Sequence, residues 1–328
     1  MQQIGPRRGL HGGMDTASRP GTQQLLVPLS LFLVYVVWGS TYLVLRWGLE
    51  GFPPFLMNGI RLVLAGSLLY PIARRRGRPA PAVREWRDSA FVGAVLFIGG
   101  LGLVTVAEDN GVGSGLAASA VAVMPLWAAL LSGLFGRWPS RLEWAGLAVG
   151  FVGVVLLSRE GDFQGSPLGT TLMIVSPLLW AFGSVVSSRL RLPKGLMAAA
   201  AQMLMGGGAL LLAGLLRGER MHDLPGLGPW LSVAYLSVFG SLFAYTAYAY
   251  LLAHTRPAVA TSYAYVNPVV AVILGVTLGG EVIGGWALLG LPVILGGVGL
   301  VGLAQRLRMS RGADASVAPA PTSGHAAS

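Results

Sequence analysis

The chain has 328 residues, of which 54% are hydrophobic and only 11% are charged, whereas a soluble domain has about 25% charged residues. This composition excludes an ordinary soluble domain and indicates a protein that crosses a membrane several times. The sequence contains no cysteine, which excludes disulfides, thiolate metal sites and cysteine nucleophiles.

Long apolar runs follow one another along the chain with only short connections between them. At about 1.5 Å of helix per residue, each run is long enough to cross a hydrocarbon core of about 30 Å. The segments 1–24 and 309–328 are predicted to be disordered. We therefore predict an all-α polytopic membrane protein with ten transmembrane helices, at 26–47, 54–73, 89–107, 113–135, 142–158, 168–188, 195–216, 229–252, 257–278 and 284–304.

The basic residues lie mostly on one side of these ten predicted helices. Of the 23 lysines and arginines, 18 fall on the side that holds both termini. The other side holds Arg46, Arg159, Arg217 and Arg220, and Arg61 lies within a helix. Because cytoplasmic loops carry the excess of Lys and Arg, both termini are predicted to be cytoplasmic. The net charge of +10 then comes from basic residues on a solvated face at the inner membrane surface, and we expect no nucleic-acid partner.

The chain contains an internal repeat at a spacing of 143 residues. When "AASAVAVMPLWAALLSGLFG" (117–136) is placed over "ATSYAYVNPVVAVILGVTLG" (260–279), seven of the twenty positions agree. Trp38 and Trp180 lie 142 residues apart, and Arg46 and Arg189 lie 143 apart. We predict two five-helix units, 25–158 and 168–305. Since five is odd, the units enter the membrane with opposite orientation, which is a transporter design.

Four motifs at their positions in this repeat resemble a known family. They are "WGSTYLVLR" in the first predicted helix, "WAFGS" in the sixth, "SYAYVNPVVAV" in the ninth and "LGGE" after it. Together the chain resembles the EamA family of the drug/metabolite transporter superfamily, in its YedA-like branch. The resemblance implies a bacterial inner-membrane carrier, usually an exporter of small metabolites or amino acids, with a central cavity. The first unit has "FGRW" in place of "LGGE", so the acidic residue is not a symmetric feature.

Two prolines occupy equivalent positions in the two units. Pro125 and Pro268 are predicted to lie within helices, where each would free the carbonyl four residues earlier. In lipid, a freed carbonyl must find a partner or face a wet cavity. The prolines are therefore either packing kinks or markers of a cavity.

Aromatic and polar side chains recur at helical spacing in four predicted helices. Two tryptophans near the middle of equivalent helices do not form an interfacial belt; they are either core residues or two walls of one pocket. The first-unit equivalents of the polar pair in the ninth helix are Ala120 and Met124, so polar contacts are expected from the second unit. The candidate substrate-binding residues are Trp38, Tyr42, Trp180, Ser184, Tyr245, Tyr248, Tyr263 and Asn267.

Arg61 lies about seven residues into the second predicted helix, where a charge costs at least about 2.5–3.5 kcal/mol. We expect it to pair with Glu108, with Glu50 and Asp109 as alternatives. A functional alternative is that Arg61 binds a substrate carboxylate or takes part in proton coupling.

The functional prediction is a secondary transporter, an exporter, that works by alternating access without a cofactor or a metal. The four histidines form no metal or triad constellation, and no ATP-binding motif is present. The expected partners are a small-molecule substrate, the lipid bilayer and, as a candidate coupling ion, a proton. The alternatives are a membrane-embedded enzyme and a membrane scaffold that transports nothing.

Overall fold

The computed structural model describes residues 20–112, 117–118, 121–158, 167–221, 223–279 and 285–317. These described residues are helices joined by short links, without strands. We number the helices α1 (Pro20–Leu49), α2 (Pro54–Arg75), α3 (Val83–Asp109), α4 (Met124–Leu134), α5 (Arg141–Ser158), α6 (Pro167–Ser187), α7 (Leu196–Leu216), α8 (Leu227–His254), α9 (Tyr263–Gly279) and α10 (Gly285–Val317). A single turn, Pro257–Ala260, precedes α9.

Within the described ranges, six helices are long and apolar enough to cross a membrane: α1, α2, α3, α6, α7 and α8. Helix α4 and Leu288–Ala304 of α10 are shorter apolar helices. The predicted all-α membrane fold is confirmed, while the number of ten spans stays a prediction. Helix α10 continues to Val317 and α1 begins at Pro20, so parts of the two segments expected to be disordered are helical. The extension of α10 contains Ala, Leu, Arg and Met, which are strong helix formers.

Helices pack in pairs that follow the repeat. Helix α2 packs along α7, and α5 packs along α10. Helix α1 contacts α8 and α9, while α6 contacts α3 and α4. The contacts of α6 correspond to those of α1 when each helix is exchanged for the one five places away, so that α8 becomes α3 and α9 becomes α4. This correspondence is expected for two five-helix units. Between α5 and α10, a methyl group built on Gly297 would collide with the Gly150 backbone, because small residues let membrane helices approach closely.

Two helices change to wide π-helical geometry in their middle. The segment Ala94–Gly102 lies within α3, and Leu236–Phe243 lies within α8. Their starts are 142 residues apart, which is also the spacing of Trp38 and Trp180. Such π turns are rare in proteins, and those that occur are often found at functional sites. No pattern in the sequence predicted them.

The prediction of a mid-helix proline holds for Pro268 but is wrong for Pro125. Pro268 lies inside α9. Pro125 lies in the first turn of α4, which begins at Met124 after a turn at residues 122–123. At that position proline has no hydrogen bond to lose and its fixed φ suits the helix. The chain therefore restarts a helix at Pro125.

Candidate substrate cavity

A cavity of about 70 Å³ lies at the centre of the helix bundle. Helices α1, α2, α3, α4, α6, α8 and α9 contribute to its wall, together with Val121. Six of the eight predicted substrate-binding residues line it: Trp38, Tyr42, Trp180, Tyr245, Tyr263 and Asn267. Ser184 and Tyr248 lie behind the wall, against Trp180. Met124 also lines the cavity, whereas Ala120 lies outside the described residues.

An aromatic cluster forms one end of the cavity. The ring centroids of Trp38 and Trp180 lie 5.6 Å apart in an edge-to-face arrangement. Tyr248 lies 5.1 Å from Trp38 and 5.9 Å from Trp180, and Tyr263 lies 4.6 Å from Trp38. Each such pair contributes about 0.5–1.5 kcal/mol beyond its buried area. The two repeat-related tryptophans are thus brought into contact with each other, as walls of one pocket.

Hydrogen bonds hold both tryptophans in place. The Trp38 Nε1 donates to the Gly240 carbonyl at 2.9 Å, in the π segment of α8. The Trp180 Nε1 donates to the Tyr248 hydroxyl at 3.0 Å, and that hydroxyl also bonds Ser184. Because both indole N–H groups are satisfied, the tryptophans are preorganised surfaces. Ser184 and Tyr248 therefore position Trp180 from behind.

The π segment of α3 gives Trp180 its space. A methyl group built on Gly100 would collide with the Trp180 ring, so only glycine fits at this position. Ser176 donates to the Gly100 carbonyl at 2.9 Å. Each tryptophan therefore contacts the π segment of the opposite unit, Trp38 at α8 and Trp180 at α3.

Two uncharged polar groups on the cavity wall have no hydrogen-bond partner within the described part of the chain. They are the Asn267 Oδ1 and the Ser241 Oγ, both buried. The Tyr42 hydroxyl lies beside the Asn267 side chain. In contrast, the Tyr245 hydroxyl is already engaged with the Gln202 Oε1 at 2.6 Å. A buried polar group without a partner is costly, so Asn267 and Ser241 are the uncharged wall groups best placed to bind a polar solute.

The predicted ion pair between Arg61 and Glu108 is not formed. The ion pairs among the described residues are Arg87–Asp88 and Arg256–Glu143. Both carboxylate oxygens of Glu108 are buried without a hydrogen-bond partner among the residues that the structure describes, and Glu108 interacts electrostatically with Arg46 of α1. The reason is axial register: Glu108 is next to last in α3, whereas Arg61 lies about 10 Å below the start of α2. The alternatives, Glu50 and Asp109, form no ion pair with Arg61 either.

A buried ion pair at the opposite end of the bundle was missed by the sequence reasoning. Glu143 is 0% exposed and accepts two hydrogen bonds from the Arg256 Nη1, at 2.6 and 2.7 Å. The Arg256 Nη2 donates to the Trp138 carbonyl at 3.2 Å. Glu143 also accepts a bond from the Ser140 backbone N–H. The spacing Ser-x-x-Glu before an apolar run is a capping box, and this signal could have placed Glu143 at a helix start.

A second arginine holds the same connection between α4 and α5. The Arg189 Nη2, just after α6, donates to the Phe135 carbonyl at 2.8 Å, and the guanidinium lies 4.2 Å from the Phe135 ring centroid. We call the contacts of Arg189 and Arg256 with residues 135–143 the latch. The latch joins the ends of α4, α5, α6 and α8 at one side of the bundle.

This fold and site define a polytopic helical membrane protein with a central cavity lined by aromatic and polar side chains. The sequence pattern of the EamA-like transporter family matches residues 25–159 and again residues 167–303. The chain therefore belongs to the EamA-like transporter family, as the motifs predicted.

Known relatives agree with this assignment. The chain is 46% identical over 284 residues to "Uncharacterized inner membrane transporter YedA" of Escherichia coli (strain K12), covering 86% of this chain and 93% of that protein. It is 27% identical to "Uncharacterized transporter YdfC" of Bacillus subtilis (strain 168), covering 85% and 91%. One solved crystal structure, 20% identical, has a TM-score of 0.69 over 85% of this chain and 98% of that chain. That likeness shows the fold alone.

Proposed function

We propose that the protein is a secondary transporter of the bacterial inner membrane that exports a small solute by alternating access. The observation that carries this proposal is the central cavity with its fixed aromatic end and its unpartnered polar groups. From Trp38 and Trp180 the lining extends through Leu45 and Val104 toward the side where α1 ends and α2 begins. A scaffold has no need for such a site, and no group of residues that could hold a metal ion is found among the described residues.

Two inverted five-helix units would give this transporter its two conformations. The family pattern matches the chain twice, helix pairs repeat with a step of five, and the π segments repeat at 142 residues. These three observations support the inverted repeat. In such a design each half can adopt the shape of the other, so that one site opens alternately to the two sides.

The latch suggests which conformation the structure represents. With both termini in the cytoplasm, Arg256, Glu143 and Arg189 lie at the cytoplasmic ends of their helices, opposite to Leu45 and Val104. We propose that the latch closes the cytoplasmic side while the cavity faces outward. For the solute to enter this cavity from the cytoplasm, the latch must then open and close in each cycle.

The direct test of transport uses purified protein in liposomes loaded with a panel of small organic solutes. We expect time-dependent exchange of at least one solute class across vesicles that contain the protein, and none across empty vesicles. A preceding thermal-unfolding screen selects candidates, because any solute that binds the folded state raises its stability. Solutes that bind without crossing the bilayer would favour the scaffold or receptor alternative.

The membrane orientation gives a separate prediction. Alkaline phosphatase fused after residue 308 should be inactive, because that position is predicted to be cytoplasmic and the enzyme matures only outside. A matched fusion after Arg220, in the predicted outer connection between α7 and α8, should be active. Activity at residue 308 would contradict both the inner termini and the predicted topology.

We propose a proton as the coupling ion, with Glu108 as its carrier. Its carboxylate is buried near the outer end of α3, without a hydrogen-bond partner in the described part of the chain, and it interacts with Arg46 and with the cavity residue Tyr42. We expect a pH gradient to accelerate flux by the wild-type protein, and Glu108→Gln to remove this acceleration. The exposed neighbour Glu50 provides the control Glu50→Gln. Wild-type flux that is the same with and without the pH gradient would contradict proton coupling.

A further inference from the structure

Arg61 is the positively charged side chain among the residues that line the cavity. It is 5% exposed and lies seven residues after Pro54, about 10 Å from the start of α2. Trp38 lies eleven residues before the end of α1 on the same side, about 16 Å deep. The backbone position of Arg61 is therefore about one helical turn above the aromatic cluster, a distance that a small organic molecule spans.

The charge of Arg61 has no partner within the described residues. Its Nε and Nη1 make no hydrogen bond, and the lining of the cavity contains no aspartate or glutamate. The buried acid on the same side, Glu108, interacts with Arg46 instead. Arginine does not deprotonate in proteins, and a charge within the bilayer is costly. A structural role would place an acceptor beside the guanidinium, whereas the described residues offer none to its Nε or Nη1 and Arg61 lines the cavity.

We infer that the cavity takes an organic anion, whose carboxylate or phosphate pairs with Arg61 while its apolar body lies against the aromatic cluster. A guanidinium binds either group through two parallel hydrogen bonds. Phe97, Leu62 and Leu101 supply apolar wall to the same cavity. The Asn267 Oδ1 and Ser241 Oγ offer further polar contacts to a substituent on the body. This inference rests on the proposed transport function and specifies the charge of its substrate.

The test uses four probes that share a phenyl body and differ in charge: 3-phenylpropionate, 3-phenylpropionamide, 3-phenylpropylamine and phenyl phosphate. Thermal unfolding of the purified protein is measured against the concentration of each probe. We expect the anions to raise the unfolding temperature and the amide and amine to leave it unchanged. Arg61→Gln should weaken the binding of the anions at least about tenfold, and Arg61→Lys should retain part of it, because a lysine keeps the charge but loses the bidentate geometry.

Controls separate binding from folding. Arg220 is an exposed arginine at the same side of the bundle, so Arg220→Gln should bind every probe as the wild type does. Without probes, Arg61→Gln should unfold no earlier than the wild type, because it removes a buried charge that has no partner. A carboxylate that binds more tightly than the phosphate assigns the anionic group as a carboxylate, and the reverse order assigns a phosphate.

The outcomes distinguish this inference from the transport proposal. Equal binding of the amide or the amine, anion binding that survives Arg61→Gln, or no binding of any probe would overturn the anion site. Transport of neutral or cationic solutes in liposomes would then still stand. Conversely, Arg61-dependent anion binding without flux in liposomes would keep the anion site and end the transport proposal.

Discussion

Replacing Arg256 by alanine is expected to destabilise the protein by about 3 kcal/mol and to open its cytoplasmic side. Removing one partner of a buried ion pair leaves an uncompensated charge and costs about 3–5 kcal/mol. Glu143 is fully buried, but the Arg256 side chain is 28% exposed and Ser140 still bonds Glu143, so we expect the lower end of that range. The measurement is thermal or denaturant unfolding in detergent.

The chain offers a matched control for this change. Arg87 pairs with Asp88, but its side chain is 75% exposed, and exposed pairs contribute about 0–1 kcal/mol. Arg87→Ala should therefore change stability little. Adding Glu143→Gln to Arg256→Ala should recover part of the lost stability, because the unpaired charge is gone. An Arg256→Ala protein that unfolds like Arg87→Ala would contradict the energetic role of the pair.

Opening of the latch can be measured separately from stability. The chain has no cysteine, so a single Ser187→Cys substitution places one thiol in a buried position at the end of α6. In inside-out vesicles, a membrane-impermeant maleimide should label this thiol faster when Arg256→Ala is also present. Equal labelling rates with and without Arg256 would show that the ion pair only stabilises the fold and does not gate the cavity.

A second large effect is expected on transport without an effect on stability. Asn267→Ala and Tyr263→Phe should leave thermal unfolding nearly unchanged. Among the described residues, the Asn267 Oδ1 has no hydrogen-bond partner and the Tyr263 hydroxyl donates only to the Met124 Sδ at 3.3 Å, a weak acceptor. A lost hydrogen bond to a charged solute costs about 1.5–3 kcal/mol. We therefore expect flux to fall at least about tenfold, as a loss of 1.4 kcal/mol would produce.

Tyr265 is the matched control for Tyr263. It lies two residues later in α9, and its hydroxyl donates to the Leu147 carbonyl of α5 at 3.1 Å, away from the cavity. Polar contacts that only join membrane helices contribute about 0.6 kcal/mol. Tyr265→Phe should thus lower stability slightly and leave flux per folded molecule intact. If Tyr263→Phe and Asn267→Ala behave in the same way as Tyr265→Phe, these residues join helices and the substrate binds elsewhere.

Much of the site could be predicted because the repeat carries it. Trp38 and Trp180 stand at equivalent positions of two sequence copies, and transporters built from repeats place their sites at the interface between the copies. The period of 142–143 residues therefore indicated, from the sequence alone, that the two tryptophans could form two walls of one pocket. Helical spacing alone predicted that Tyr263 and Asn267 lie on the same face of α9, because residues four apart share one face of a helix.

Contacts between distant helices were decided by the tertiary structure. Arg61 is a base and Glu108 is an acid, and both lie within helices toward the same side of the bundle, so the sequence made them the expected partners. Their helices place them at different depths, and this axial offset depends on where α2 and α3 begin and end. The Arg256–Glu143 pair joins residues 113 positions apart, and only the fold brings the link after α8 next to the start of α5.

By itself the sequence determined the membrane class, the helical fold and the family of this protein. These properties depend on apolar content, on 3.6-residue periodicity and on motifs, all of which are local along the chain. The tertiary structure decided which charges find partners and which remain open to the cavity. That outcome depends on the depth and facing of each helix in the bundle, and the cost of burying a charge is set by its final surroundings. Arg61 is the clearest case, since its local sequence is compatible with a buried ion pair and its surroundings in the fold leave it facing the cavity.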